Sequence, residues 1–299
     1  SETAQQSIVA GWGGKQVFGG PQIVLPYQAK ITESVEENGK TVTRTNIVTR
    51  ELFVAPELVK LDSKLNTETK KRAIYEVIVY DTVITGSAVF KLPDDLDRFG
   101  VTRDQIDFSR AELRFGLSDA RGLAGDNEVS VNGESLELQP GKGLGATGNS
   151  GFFAFLDSSA LQDGKIEAAF SVRFKGHQSL TIAPNAGQTE WTVQSKWPHP
   201  SFAGSFLPES RTVNADGFAA KYVITNLALG TSLIANDSGT QVQPVRAQDM
   251  SFMRSEYGAS VPASATVDLI QPVDLYGQVD RAAKYGFLII GFTFVTFLL

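Results

Sequence analysis

Residues 285–299 read YGFLIIGFTFVTFLL, fifteen positions with no charged side chain, and the chain stops inside them. A membrane-spanning helix needs roughly 20 apolar residues, so this run reads as the opening of such a helix. A buried strand or core helix is the other meaning of an apolar run of this length. Soluble domains seldom close on their most apolar stretch with nothing after it to cover it, which favours the membrane. At the opposite end Ser1 is not a methionine, and no charged or cleavable signal segment precedes the folded part. The expectation is a water-exposed region held in a membrane as part of something larger.

Before that segment the pattern is strand after strand. The stretches QIVLPYQAKIT, KTVTRTNIVTRELFV and RAIYEVIVYDTVITGSAVFKL are rich in β-branched and aromatic residues with much alternation. Asn38-Gly39 sits between two of these runs, a strong hairpin signal. Residues 93–110 interrupt the strands, and Thr102 followed by Gln105 fits a capping box opening a short helix near 102–108. Strands then resume at RAELRFGLSD and recur as far as SATVDLIQPVDLY, with Gly, Asn, Asp and Pro between them. The predicted fold is mainly β, a large sandwich of antiparallel strands over residues 1–281, followed by the truncated helix from 282. A subdivision near 93–110 is compatible with the pattern, although nothing there resembles a flexible tether.

Composition narrows the chemistry. The net charge of −6, with Lys and Arg scattered singly, gives no footprint for nucleic acid. The same acidic balance argues against an anionic membrane surface as the main partner of the water-exposed part. There is no cysteine, so disulfides and thiolate chemistry are excluded. The two histidines, His177 and His199, show no HExxH spacing, so neither a metal nor a cofactor is expected.

Several motifs remain. Gly143 to Gly148 satisfies GxGxxG, but the residues after it read as a strand, so a Gly-rich loop is expected instead of a phosphate cradle. Ser118 lies in a degenerate GxSxG followed by a turn-rich stretch, which denies it the strand-to-helix corner of a nucleophile elbow. The expected role is a polar turn, with Asp119 capping backbone amides and Arg121 bridging to a neighbouring loop. In WPHPSF, prolines on either side of His199 hold Trp197 and His199 extended, which suits a stiff corner, a binding rim or an acid–base residue. Glu76, Asp81, Glu112 and Asp119 could contain a carboxylate pair for glycoside hydrolysis, as could chance in any β protein of this size. Trp197, His199, Ser118, Asp119 and Arg121 are the candidate binding residues, and no catalytic set is assigned.

The order of the pieces resembles the CreD family of bacterial inner-membrane, cell-envelope-integrity proteins. The likeness is carried by GWGGKQVFGGPQIVLPY (11–27), RAIYEVIVYDTVITGSAVF (72–90), FSRAELRFGLSDARGL (108–123), QSLTIAPNAGQT (178–189), SKWPHPSFAGSFLP (195–208) and the stretch 248–299. It implies a transmembrane helix before Ser1, a large periplasmic region, and several membrane helices of which residues 285–299 open the next. Roles in envelope stress and colicin tolerance, and control by a two-component system, come with the resemblance. It brings no established set of site residues.

The function expected on these grounds is a membrane-anchored periplasmic domain that supports envelope integrity without catalysis, by binding an envelope protein or glycan. An enzyme acting on envelope carbohydrate is the alternative, and a periplasmic sensor coupled to the membrane helices is a third.

Overall fold

Two stacked β-sheets trap one hydrophobic core in the computed structural model, which describes residues 12–37, 40–72, 75–162, 164–236, 263–271 and 285–286. The chain divides into two units, Ser1–Leu269 and Ile270–Leu299. All the strands belong to the first. In the second, Tyr285 and Gly286 have helical backbone, and the rest of the expected membrane helix lies outside the described residues. Among the described residues no helix is long and apolar enough to cross a membrane.

The strands are β1 (Gln16–Glu37), β2 (Lys40–Val54), β3 (Leu58–Arg72), β4 (Tyr75–Lys91), β5 (Ala111–Leu117), β6 (Glu128–Val131), β7 (Glu134–Ser135), β8 (Leu138–Pro140) and β9 (Gly151–Leu156). After them come β10 (Lys165–His177), β11 (Ser179–Ala183), β12 (Gln188–Ser195), β13 (Pro200–Gly204), β14 (Ser210–Asn214), β15 (Gly217–Thr225), β16 (Ile234–Asn236) and β17 (Ala265–Leu269). The first sheet runs β13-β17-β11-β1-β5-β9-β8, with β2 beside β1 and β16 beside β2. The second runs β14-β15-β12-β3-β4-β10-β6-β7. Pairing is antiparallel except for β1 with β11 and β12 with β3, which are parallel. Those two depart from the all-antiparallel expectation because each joins segments far apart in sequence, which a hairpin cannot do.

Alternation places the core. In β10 the residues Ile166, Ala168, Phe170, Val172 and Phe174 point inward, while Lys165, Glu167, Ala169 and Arg173 are exposed. Phe18 stacks on Phe174 at 6.1 Å and Phe115 on Phe152 at 5.0 Å, so aromatic rings from both sheets fill the gap. Trp191 is fully buried against Tyr222, and its indole N–H donates to Ser63 Oγ at 2.9 Å. The helix expected near 102–108 is instead two 3-10 turns, Arg103–Gln105 and Phe108–Arg110. Gln105 still reaches back to accept from the Thr102 N–H at 2.8 Å, but the segment is too short to close an α-helical turn. A four-residue helix, α1 (Asn226–Leu229), follows β15.

Two long hairpins leave the sandwich in opposite directions. The β1–β2 hairpin pairs from Ile23↔Val54 to Glu37↔Lys40 around residues 38–39, as the Asn-Gly signal predicts. Beyond the Tyr27↔Ile106 bridge it continues as a two-stranded ribbon. The β3–β4 hairpin runs the other way, toward the end of the sandwich where the chain comes in and goes out.

That end is organised by one turn. Gln178 carries the chain from β10 in the second sheet to β11 in the first, with φ at 60°. Its N–H donates to Ile78 O at 2.9 Å, its carbonyl accepts from Leu269 N–H at 2.7 Å, and the preceding His177 N–H donates to Gly14 O at 3.2 Å. The incoming segment, the outgoing strand and the β3–β4 hairpin are therefore tied at one point. Gln178→Gly relieves the left-handed conformation and is expected to gain up to about 1 kcal/mol. Gln178→Pro can neither adopt that φ nor donate, and is expected to lose about 3 kcal/mol or more. Urea unfolding midpoints of the two variants check both signs.

Candidate functional site

Strand register brings four distant residues into one row. Gln16 pairs with Leu180, so Lys15 extends the ladder to Ser179. Ser179 faces Asp268, and Asp268 faces Ser201. Leu180, Val267 and Leu269 point into the core, so these partners point to the opposite face of the first sheet. Ser179, Asp268 and Ser201 thus line up across three adjacent strands, roughly 10 Å from first to last, with Lys15 beyond Ser179 in the bend just before β1. In the next row Thr181 and Thr266 close on each other at 2.8 Å.

The row is polar and incompletely satisfied. Ser179 is 1% exposed and its hydroxyl has no hydrogen-bond partner among the described residues. Burial raises the Asp268 carboxyl above its ordinary value, and the Lys15 ammonium works against that. At the near edge of the core the Tyr222 hydroxyl is also buried without a partner among the described residues, and burial pushes its pKa up.

Both sequence-derived clusters flank this row. On one side His199 is exposed and stands against Trp197 edge-to-face at 6.3 Å, with Pro200 opening β13 directly after it. Proline is tolerated there because it begins an edge strand of its sheet. Ser195 Oγ accepts from the Trp197 N–H and donates to Leu65 O, so the corner is anchored to β3. On the other side Ser118 and Asp119 leave β5 beside Gln16. Ser118 Oγ accepts from Val17 N–H at 2.8 Å and lies 3.2 Å from both Lys15 O and Gln16 Oε1. Asp119 accepts from the Arg121 N–H, the Arg121 guanidinium and the Gly14 N–H, and the Arg121 hydrogen bond leads in holding it below the usual carboxylate range. Arg121 folds back onto its own turn instead of bridging to a neighbouring loop. Asp119 makes the bridge, to Gly14.

His177 sits beside the second of these clusters. Gly13 O can only accept, so the imidazole Nδ1 at 2.9 Å carries the proton. Burial leads in depressing its pKa, with Lys15 adding to the effect. Ser118, Asp119 and His177 are close in the fold, yet their polar atoms are bonded to the backbone and to Arg121. No hydrogen bond joins Ser118 or Asp119 to His177 among the described residues, and a nucleophile–base relay needs one.

The other motifs also have structural roles. The GxGxxG stretch forms the turn between β8 and β9, where Thr147 Oγ1 caps Ser150 O and a strand follows. Glu76 pairs with Lys71, Asp81 with Arg173 at 2.9 Å, and Glu112 with Arg114 and Lys142. For Glu112, burial would raise the pKa, but the bonds from Lys142 and Arg114 outweigh it and hold the carboxyl low. No group of three metal-ligating side chains occurs among the described residues. A shallow depression on the outer face of the second sheet, around Lys60, Asp62, Glu190 and Thr192, lies apart from all of these.

Sequence reading singles out the residues on either side of this row and passes over the row itself. Lys15, Ser179, Ser201 and Asp268 are unremarkable in sequence, and only sheet order puts them together. Asp268, a lone acid in the apolar strand ATVDL, was the one signal available.

The comparisons now have a geometry to attach to. A family model described as "Inner membrane protein CreD" matches residues 1–299. Inner membrane protein CreD of Escherichia coli (strain K12) is 29% identical over 297 residues, covering 98% of this chain. The chain spans 60% of that relative's length.

The His177 environment generates a pH dependence. Its folded pKa lies below the unfolded value of roughly 6.5, so the unfolded chain binds the proton more readily. The stability it contributes is complete above about pH 6.5 and is lost as the pH falls toward the folded value. Urea midpoints followed from neutral to mildly acidic pH are expected to drop in the parent, with a smaller drop in His177→Gln.

Proposed function

Since the chain belongs to the CreD family of inner membrane proteins, we propose that its β unit works on the periplasmic side as a non-catalytic binding domain that supports envelope integrity. The observation that carries this reading is the row Lys15–Ser179–Asp268–Ser201. It offers an ammonium, a half-buried carboxylate and the Ser201 hydroxyl, with the Ser179 hydroxyl buried beside them and Trp197 and His199 at its rim. Hydroxyl and carboxylate groups spaced along a sheet suit the hydroxyl-rich surface of a glycan, and an aromatic rim supplies a stacking face.

The bonding pattern of the neighbouring groups supports binding over reaction. The groups able to attack or to move a proton, Ser118, Asp119 and His177, are spent on positioning the incoming segment. The Asp268 carboxyl stands without a second carboxylate in its row, whereas glycoside hydrolysis uses two.

The test is thermal unfolding of the chain against peptidoglycan and lipopolysaccharide fragments. A ligand bound to the native state at 100 times its Kd stabilises by about 2.7 kcal/mol, a midpoint shift of roughly 5–10 °C for a domain of this size. A shift that disappears in Asp268→Asn and in Trp197→Ala is the expected result. No shift with any fragment removes the glycan and leaves a protein partner, to be sought by cross-linking in cells. Fragment turnover by the parent, abolished in Asp268→Asn, would overturn the non-catalytic reading.

A further inference from the structure

The pole at which the chain enters and leaves carries a second surface, built around Trp12. The Lys70 ammonium lies 5.2 Å from the centre of its indole ring and the Lys175 ammonium 5.1 Å, so two cations from β3 and β10 hold one aromatic. The β3–β4 hairpin continues four residues past the Val79↔His177 pair, roughly 14 Å. Lys71 projects from this extension and is two-thirds exposed.

Three observations identify what this surface meets. First, Trp12 directly precedes Gly13 and Gly14, and Gly14 O and Leu269 N–H are held on either side of the same turn. Both connections to the rest of the chain therefore leave the β unit here. Second, the family is one of inner membrane proteins. Third, tryptophan flanked by lysines is the pairing that partitions to a headgroup region, with the ring at the boundary and the ammonium groups on the phosphates.

We propose that Trp12, Lys70, Lys71 and Lys175 form a headgroup-contacting surface that seats the β unit on anionic phospholipid. The net charge of −6 describes the chain as a whole and not this pole. Lys70 and Lys71 do have acidic partners, Glu68 and Glu76, each at 2.6 Å. Both are partly exposed pairs, which are worth little in water and are readily exchanged for a phosphate. Lys175 makes no ion pair among the described residues and is free to lead. Seating the unit this way sends the β1–β2 ribbon away from the bilayer. The proposal rests on the periplasmic, membrane-anchored reading but not on any glycan.

The experiment places the chain in nanodiscs of brominated phosphatidylglycerol or brominated phosphatidylcholine and follows tryptophan fluorescence. Trp191 and Trp197 are common to both proteins, so the difference between the parent and Trp12→Phe isolates the Trp12 contribution. That contribution is expected to be quenched in phosphatidylglycerol, and the quenching to be lost in Lys70→Gln/Lys71→Gln/Lys175→Gln and at high salt. Equal quenching in phosphatidylcholine, or quenching unchanged in the triple variant, overturns the anionic surface. No quenching in either disc overturns the seating altogether. Because the chain has no cysteine, a nitroxide at Lys71→Cys gives the same depth without touching the indole, and must agree. A ligand-induced thermal shift without quenching keeps the binding function and removes this surface; quenching without a shift keeps this surface and removes the glycan.

Discussion

The end of the β unit that carries the polar row hangs on the backbone hydrogen bonds of one residue in an unfavoured conformation. Gln178 turns the chain from one sheet into the other, and its N–H and carbonyl bind a hairpin of the second sheet and the outgoing strand of the first. A non-glycine residue at φ 60° costs free energy and persists only where its surroundings over-determine it. Here they do. His177 adds the bond to Gly14, and Tyr80 donates to Ser179 O from inside the core at 2.7 Å. The row of polar side chains is a consequence, because Ser179 begins β11 directly after the turn and sets the register for Asp268 on one side and Lys15 on the other.

The middle of the first sheet is covered on both faces. In β5 every residue is buried, including Glu112 and Arg114 on the face away from the core. Arg114 is held between Glu51 and Glu112, and Lys142 closes Glu112 from outside. Such a network is retained because each charge has a partner and removing one strands the others, whatever its net contribution to stability. It fixes the middle of the sheet while the β1–β2 ribbon beyond it has only one neighbour per strand. Local stability should therefore fall from the pole with the polar row toward the ribbon tip, since a lone two-stranded hairpin is marginal in water.

Much of this architecture could be read from the sequence, for identifiable reasons. The run KTVTRTNIVTRELFV became β2 without change of boundary, because β-branched residues alternate through it. LVKLDSKLNTETKKR, which is β3, was passed over: its outward positions are long charged residues, and only Val59, Leu61 and Leu65 mark its inner face. The corner at Trp197–His199 and the turn at Ser118–Arg121 were legible from proline and from Asx chemistry, both local effects. The pairing of β1 with β11 and of β3 with β12 was not, because parallel neighbours far apart in sequence leave no local pattern. The polar row depends on that pairing, so its centre was hidden while its flanks were visible.

The most direct test of the central claim is native-state hydrogen exchange at the amides of His177, Gln178 and Leu269, followed over a series of urea concentrations. If the turn ties the incoming segment, the outgoing strand and the hairpin into one unit, all three amides open together, with the urea dependence of global unfolding. Leu269 opening early and with little urea dependence, while Gln178 stays protected, would contradict the account: the outgoing strand would then fray independently, and the row around Asp268 would have no fixed geometry to bind with.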